Sequence, residues 1–140
     1  QLSNDLNLTE FVEFTGRISD ADLLRYFSTA DIALAPDPQN PLNDVSTMNK
    51  VIEYMAVGLP IVSFDLKESR FSAQDAAVYI PNNDEKAFGQ AIIDLLSQPD
   101  QRAQMSELGR KRFLECLSWE HSREKLIECY DNLLGWRHGK

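Results

Sequence analysis

The sequence predicts an α/β fold, with a parallel sheet of about four strands between layers of helices and a helical C-terminal tail. Short apolar segments alternate along the chain with amphipathic ones, which is the order of parallel strands joined by right-handed helical crossovers. Residues 31–35 are almost continuously apolar, which is typical of a strand that is covered on both faces. Together these features predict a Rossmann-like domain of three layers.

Composition limits the classes of protein to which the chain can belong. It has 140 residues, and its 14 Lys and Arg against 22 Asp and Glu give a formal charge of −8. The acidic excess argues against nucleic acid as a partner, because its phosphates would be repelled. No apolar run approaches the roughly 20 residues of a transmembrane helix, and residues 1–6 lack the features of a signal peptide. We therefore expect a water-soluble, cytoplasmic protein.

The first elements of the chain are indicated by their periodicity and their caps. Apolar and polar residues alternate over 11–16 and end at a glycine, which predicts a strand. Ser19 is a suitable N-cap for the amphipathic helix that follows. After the strand at 31–35, residues 36–44 contain three prolines and predict a loop, at the edge where open α/β sheets bind ligands.

The remaining elements continue the alternation. A helix capped by Ser46 or Thr47 is expected to end near Gly58. Two further strands separated by a polar loop are predicted, the strands at 60–64 and 76–80 and the loop at 65–74. The rest is predicted to be helical, with helices that start after Asp84, at Pro99 and near Glu120 and a frayed end at 135–140.

The pattern predicts a single domain over residues 1–140 that is part of a larger protein. The chain lacks an initiator Met, and four strands are few for a doubly wound sheet, so we expect one or two preceding βα units. Cys116 and Cys129 are too few for a disulfide framework and lack the spacing of a zinc site. We therefore expect free, buried thiols, with no metal and no cofactor.

The residues around the start of the helix at 46–58 form the candidate binding site. Free N–H groups at that helix start would attract an anion. The hydroxyls of Ser46 and Thr47 and the ammonium of Lys50 would add donors for phosphate oxygens. Glu53 would accept hydrogen bonds from ribose or sugar hydroxyls. The alternative is that Lys50 and Glu53 form a surface ion pair and that Ser46 is only a cap.

Six segments, taken in order, resemble one known family. They are Phe14-Thr15-Gly16-Arg17-Ile18, Ala30-Asp31-Ile32-Ala33-Leu34-Ala35-Pro36, Lys50-x-x-Glu53-Tyr54-Met55-Ala56-x-Gly58-x-Pro60-Ile61-Val62, Tyr79-Ile80-Pro81, Leu95-Leu96 with Pro99, and Ser118-Trp119. Over residues 12–134 the chain resembles the C-terminal, nucleotide-sugar donor-binding domain of group 1, family-4 glycosyltransferases of the GT-B fold. In that family two Rossmann-like domains face each other across a cleft.

The resemblance implies roles for residues on both sides of the predicted helix start. Glu53 matches the second glutamate of the family's acidic motif and would bind the ribose. The first glutamate of that motif, which would contact the sugar, is Val45 here. Asp44, Asn43 or the backbone amides of 43–48 would then take over this contact.

Further contacts are implied by the same resemblance. The diphosphate would be bound by the amides of Ser46, Thr47 and Met48, and the base would be bordered by Gly16, Arg17 and Ile18. The cations that neutralise the leaving diphosphate lie upstream of residue 1 in the family, so no catalytic residue is expected in this chain, and Lys50 does not replace them. Residues 67–70 are the rival candidates for a ligand contact, against the alternative of a solvated charged loop.

The implied activity is that of a retaining glycosyltransferase of the hexosyltransferase type, acting in polysaccharide biosynthesis. It would move a sugar from a nucleotide diphosphate sugar to a glycan or a lipid-linked acceptor. Its partners would be the nucleotide-sugar donor and an N-terminal acceptor domain of the same protein, and the full enzyme could associate peripherally with a membrane. The chain alone is expected to be inactive. The alternatives are a nucleotide-sugar epimerase domain and a non-catalytic α/β nucleotide-binding module such as a flavodoxin-like protein.

Overall fold

A computed structural model describes residues 1–134 of the chain, and the predicted frayed end at 135–140 lies outside the described residues. Helices and strands alternate through the first part, and helices alone form the last part. The elements are α1 (Leu2–Asp5), α2 (Asp20–Thr29), β1 (Ala33–Ala35), α3 (Asn49–Val57), β2 (Ile61–Phe64), α4 (Lys67–Ala73), β3 (Ala77–Ile80), α5 (Glu85–Leu96), α6 (Pro99–Arg112) and α7 (Trp119–Leu134).

The described residues form one parallel sheet of three strands in the order β1-β2-β3. Ala33 pairs with Ile61, and Ile61 pairs in turn with Ala77, so the three strands start in register. The predicted α/β class is confirmed, with three strands where about four were expected. Leu34 of β1 is 40% exposed, so the sheet is less completely covered at this edge than the apolar sequence predicted.

Helices cover both faces of the sheet, as the three-layer prediction requires. Successive residues of β2 point to opposite faces. Ile61 joins a core cluster with Val51 and Met55 of α3, whereas Val62 lies in a second cluster with Phe88 of α5. Every residue of β2 is buried, so this central strand separates two apolar layers.

The strand predicted at 11–16 does not form, so that prediction was wrong. Phe11 is 81% exposed and Phe14 is 84% exposed, and the segment is irregular. A strand needs a neighbouring strand to accept and donate its backbone hydrogen bonds. Among the described residues β1 pairs only with β2, so the alternating pattern of 11–16 has no partner to order it. Gly16 does turn the chain, with φ +63°.

The polar loop predicted at 65–74 is also wrong, because α4 occupies most of it. The side of α4 that faces the core carries mainly small residues, since Ser69, Ser72 and Ala73 are buried there. Leu66, just before α4, is buried as well. Serines on a buried face hide the apolar periodicity by which an amphipathic helix is normally recognised.

The C-terminal helices follow the predicted pattern. Asp84 caps α5 by accepting from the N–H groups of Lys86 and Ala87, both at 3.0 Å. Pro99 occupies the first turn of α6. The thiols of Cys116 and Cys129 are free as expected, but both residues are exposed rather than buried.

None of the helices within residues 1–134 combines the length and the apolar composition needed to cross a lipid bilayer.

Candidate functional site

Three chain segments meet at the carboxyl edge of the sheet, where all three parallel strands end. The loop 36–48 follows β1, α4 begins soon after β2, and a turn at Pro81–Asn83 follows β3. Asn83 joins the first and third segments, because its side-chain amide accepts from the N–H of Gln39 and donates to the carbonyl of Gln39 at 3.2 Å. This is the edge at which open α/β sheets bind their ligands.

The loop 36–48 is ordered by its own side chains. The side-chain oxygen Oδ1 of Asn40 accepts from the N–H groups of Leu42 and Asn43, at 3.0 and 2.9 Å. Asn43 donates from its side-chain amide to the carbonyl of Pro38 at 2.8 Å. Asn43 therefore holds the turn, and its amide is engaged in that contact.

The helix predicted from Ser46 begins at Asn49 instead, so neither Ser46 nor Thr47 is its cap. Residues 43–45 form a single 3₁₀ turn, and the Ser46 hydroxyl donates back to the carbonyl of Leu42 at 2.7 Å. Because Ser46 completes this turn, its side chain is not available to α3. Met48 precedes α3 in an extended conformation, and no side chain caps the helix. The first N–H groups of α3 are therefore free of a side-chain partner, as an anion site requires.

The residues between the turn and α3 are bound to the start of α4. Thr47 Oγ1 donates to Glu68 Oε2 at 2.8 Å. Asp44 Oδ1 accepts from the N–H of Lys67 at 3.4 Å, and Asp44 Oδ2 lies 3.7 Å from Lys67 Nζ. The structure thus brings Asp44 and Thr47 together with α4, the region that was the rival candidate in the sequence.

Lys50 forms an ion pair with Asp37 and not with Glu53. Its Nζ donates to both carboxylate oxygens of Asp37, at 2.9 and 2.8 Å. The alternative interpretation, a surface pair of Lys50 with Glu53, is therefore wrong, because Asp37, two residues after β1, reaches the first turn of α3. This pairing neutralises the Lys50 charge and makes it a weaker donor for phosphate than the sequence suggested.

Glu53 is exposed on α3 and makes no hydrogen bond or ion pair with residues 1–134. The neighbouring Tyr54 packs edge-on against Phe27 and donates from its hydroxyl to the carbonyl of Leu34 at 3.3 Å. Burial raises the pKa of Tyr54, and the negative charges of Glu53 and Asp37 raise it further. Tyr54 therefore fixes α3 against β1 as a neutral phenol and leaves the Glu53 carboxylate open to a ligand.

The residues expected to border a base lie in the segment that precedes α2. Ile18 lines an open groove of about 420 Å³ with Tyr26 and Thr29 of α2. Gly16 and Arg17 precede this groove in the irregular segment before α2, and both are exposed. The lining of this groove includes no residue of the loop 36–48.

Arg70 was part of the rival segment, and its charge is already paired. Its guanidinium binds the Asp65 carboxylate in a two-pronged contact and lies 4.5 Å from the ring centroid of Tyr79. Burial raises the pKa of Tyr79, whose hydroxyl donates to the Gln74 carbonyl at 2.9 Å. Arg70 thus serves the packing of α4 against β3, whereas Lys67 of the same segment is 80% exposed.

One carboxylate at this edge, that of Asp37, escaped prediction as a site residue. Asp37 lies two residues after β1, and that position at a sheet edge is a signal that the sequence does contain. Glu68 belongs to the rival segment 67–70, and the structure places it in the first turn of α4, where it accepts from Thr47. The assembled edge offers free helix amides beside carboxylates, which suits a ligand that carries both phosphates and hydroxyls.

A larger solved structure shares this fold. Sucrose-phosphate synthase from Thermosynechococcus elongatus matches with a TM-score of 0.78 and 24% sequence identity, over 97% of this chain and 33% of that chain. At this identity the likeness shows the fold alone.

Curated relatives are longer as well. D-inositol 3-phosphate glycosyltransferase of Corynebacterium urealyticum is 24% identical over 135 residues, which are 95% of this chain and 30% of the relative. Phosphatidyl-myo-inositol mannosyltransferase of Mycobacterium leprae is 31% identical over 91 residues, which are 64% of this chain and 23% of the relative. The chain thus spans less than a third of the length of each of these relatives.

The family itself is shown by a match to the family model of the glycosyl transferases group 1. That match covers residues 1–98, more than half of the chain, and includes β1, α3, β2 and β3 with the loops between them. The resemblance found in the sequence is therefore confirmed. The chain belongs to the group 1 glycosyl transferases.

Proposed function

We propose that the chain is the donor-binding part of a retaining glycosyltransferase that transfers a sugar, of the hexose type, from a nucleotide diphosphate sugar. The observation that carries this proposal is the arrangement at the start of α3, where uncapped helix amides lie one turn before the unpaired carboxylate of Glu53. The rest of the cleft, including an acceptor domain, is proposed to come from further residues of the whole enzyme, because the chain matches only 30% and 23% of the length of the two relatives.

The diphosphate would lie against the amides of Thr47 to Asn49, since the N–H of Ser46 already donates to the carbonyl of Asn43 at 3.2 Å. Thr47 and Met48 lead from the turn at 43–45 into α3, so these N–H groups and the helix dipole favour negative charge. Glu53 would accept hydrogen bonds from the ribose hydroxyls, which an ionised carboxylate binds more strongly than a neutral acceptor does.

During transfer the bond between the sugar and the terminal phosphate breaks, and the diphosphate leaves with additional negative charge. Fixed amides directed at that charge stabilise the transition state more than the ground state. The chain supplies this part of the stabilisation. The acceptor hydroxyl would be held by the other domain, on a glycan or a lipid-linked molecule, so we expect no turnover from residues 1–140 alone.

The first relative is named for transfer to D-inositol 3-phosphate and the second for transfer to phosphatidyl-myo-inositol. Both names describe an acceptor with a hydroxyl-bearing ring, and the second acceptor is a lipid. An acceptor of this chemistry, as free compound or as lipid headgroup, is therefore part of the proposal. The epimerase and flavodoxin-like alternatives are not favoured, since the family match is to transferases.

Calorimetric titration of the chain with UDP, GDP, ADP and CMP tests the proposal. We expect one nucleotide to bind selectively, and Glu53→Ala to weaken that binding about tenfold, the weight of a hydrogen bond to a charged group. Glu124→Ala is the matched control, because Glu124 is an exposed glutamate within α7. Absence of binding by the whole nucleotide panel, or equal effects of the two substitutions, would count against the proposed site.

A further inference from the structure

Two carboxylates, those of Asp44 and Glu68, lie against the segment that precedes α3, and the structure holds them differently. Asp44 has only 15% of its side chain exposed, and both of its oxygens face Lys67. Glu68 accepts one hydrogen bond from Thr47 Oγ1 at 2.8 Å, and its second oxygen has no hydrogen-bond partner among residues 1–134. Asp44 is therefore committed to α4, whereas Glu68 retains free acceptor capacity.

The position of Glu68 determines which part of a ligand it could bind. Its carboxylate is hydrogen-bonded to Thr47, two residues before α3, and so lies beside the amides that are proposed to hold the diphosphate. A carboxylate repels phosphate oxygens, but it accepts hydrogen bonds from hydroxyl groups. In a nucleotide diphosphate sugar, the sugar is bonded directly to the terminal phosphate. A carboxylate next to the phosphate site is therefore within reach of sugar hydroxyls.

The other side chains on the turn are poorer acceptors for this contact. The side chain of Val45 has no polar atom, and the side-chain oxygen of Asn43 is neutral and accepts more weakly than a carboxylate. The Ser46 hydroxyl donates to Leu42. An ionised carboxylate has about four acceptor positions, and Thr47 uses one of those on Glu68.

We propose that Glu68 accepts hydrogen bonds from hydroxyls of the donor sugar and thereby helps to select that sugar. This inference rests on the proposed function, because it needs the diphosphate at the start of α3. Thr47 is then a positioning residue: its hydroxyl holds the Glu68 carboxylate at the site. Through this contact α4, which is absent from the sequence prediction, becomes part of the donor site.

The test compares each nucleoside diphosphate with its hexose conjugate, using UDP with UDP-glucose, GDP with GDP-mannose and ADP with ADP-glucose. We expect Glu68→Ala to weaken binding of the conjugate about tenfold and to leave the free diphosphate within about twofold. Glu68→Gln keeps the size and one oxygen and should lose less. Thr47→Val should weaken the conjugate in the same direction. Glu124→Gln, on the exposed face of α7, is the matched control and should change neither affinity.

Each other result overturns the inference in a recognisable way. Equal weakening of diphosphate and conjugate would show that Glu68 only orders the segment before α3. Tighter binding of the free diphosphate by Glu68→Ala would show that the carboxylate merely repels phosphate. If Glu68→Ala binds the diphosphate and its hexose conjugate with the same affinities as the unmodified chain, Glu68 does not contact the sugar, and the proposed function still stands. Absence of any binding by the unmodified chain would contradict both this inference and the proposed function. A cooperative thermal unfolding transition shows that each variant is folded. If Glu68→Ala does not fold, the same comparison is made with Glu68→Gln.

Discussion

Gly58 ends α3 in a backbone conformation that residues with a side chain adopt only at a cost. Its φ is +76°, and it is followed by the N–H of Leu59, which closes the helix by donating to the carbonyl of Tyr54 at 2.9 Å. A Cβ on Gly58 would lie 2.9 Å from Ser106 Oγ, which can rotate away. Gly58→Ala should therefore lower the free energy of unfolding mainly through backbone strain, by about 1–2 kcal/mol. Urea unfolding measures this loss.

Gly89 provides the control for this prediction, because it is also a glycine but lies inside α5. A Cβ there would have no heavy atom within 4 Å. Gly89→Ala should raise the free energy of unfolding by about 0.5–1 kcal/mol, since alanine loses less conformational entropy in a helix. An increase in the free energy of unfolding for Gly58→Ala as well as for Gly89→Ala would contradict the left-handed helix end at Gly58.

At the scale of elements, Asp84 caps a helix in the structure, whereas Ser46 has only the residue type of a cap. Asp84 binds two N–H groups of α5, so Asp84→Ala should cost about 1 kcal/mol of unfolding free energy. The Ser46 hydroxyl bonds only within its own turn, so Ser46→Ala should cost less than about 0.5 kcal/mol. Denaturant unfolding of the two variants decides between the cap predicted from the sequence and the turn in the structure. A cost for Ser46→Ala as large as that for Asp84→Ala would restore Ser46 as the cap of α3.

The elements that could be predicted are those whose signal is local. Ser19 and Asp84 do cap α2 and α5, and the apolar run at 61–64 is the buried strand β2. The start of α3 could not be predicted, because Ser46 has the residue type of a cap and only the turn at 43–45 shows that it is engaged elsewhere. The same holds for the candidate site. Lys50 was placed correctly near the loop, but its partner Asp37 depends on the path of the loop, which residue spacing does not describe.

At the scale of the whole molecule, the number of strands depends on contacts that no single segment contains. Residues 11–16 have a strand pattern as clear as that of 31–35, yet only the second segment has a neighbour in the described sheet. Parallel pairing joins residues far apart in the chain, so alternation alone cannot tell a paired strand from an unpaired one. The family match includes this segment, whose Phe11 and Phe14 lie exposed in residues 1–134.

Two phenylalanines test this account of the sheet. Phe14, in the segment predicted as a strand, is 84% exposed, so Phe14→Ala should change the unfolding free energy by less than about 0.5 kcal/mol. Phe88 is buried, with its ring centroid 4.8 Å from that of Phe64, and Phe88→Ala should cost about 3–5 kcal/mol. Guanidinium unfolding of both variants measures the contrast. A loss of several kcal/mol for Phe14→Ala would mean that residues 11–16 pack as a fourth strand, whereas a small effect beside a large one for Phe88→Ala places the core between β2, β3 and α5.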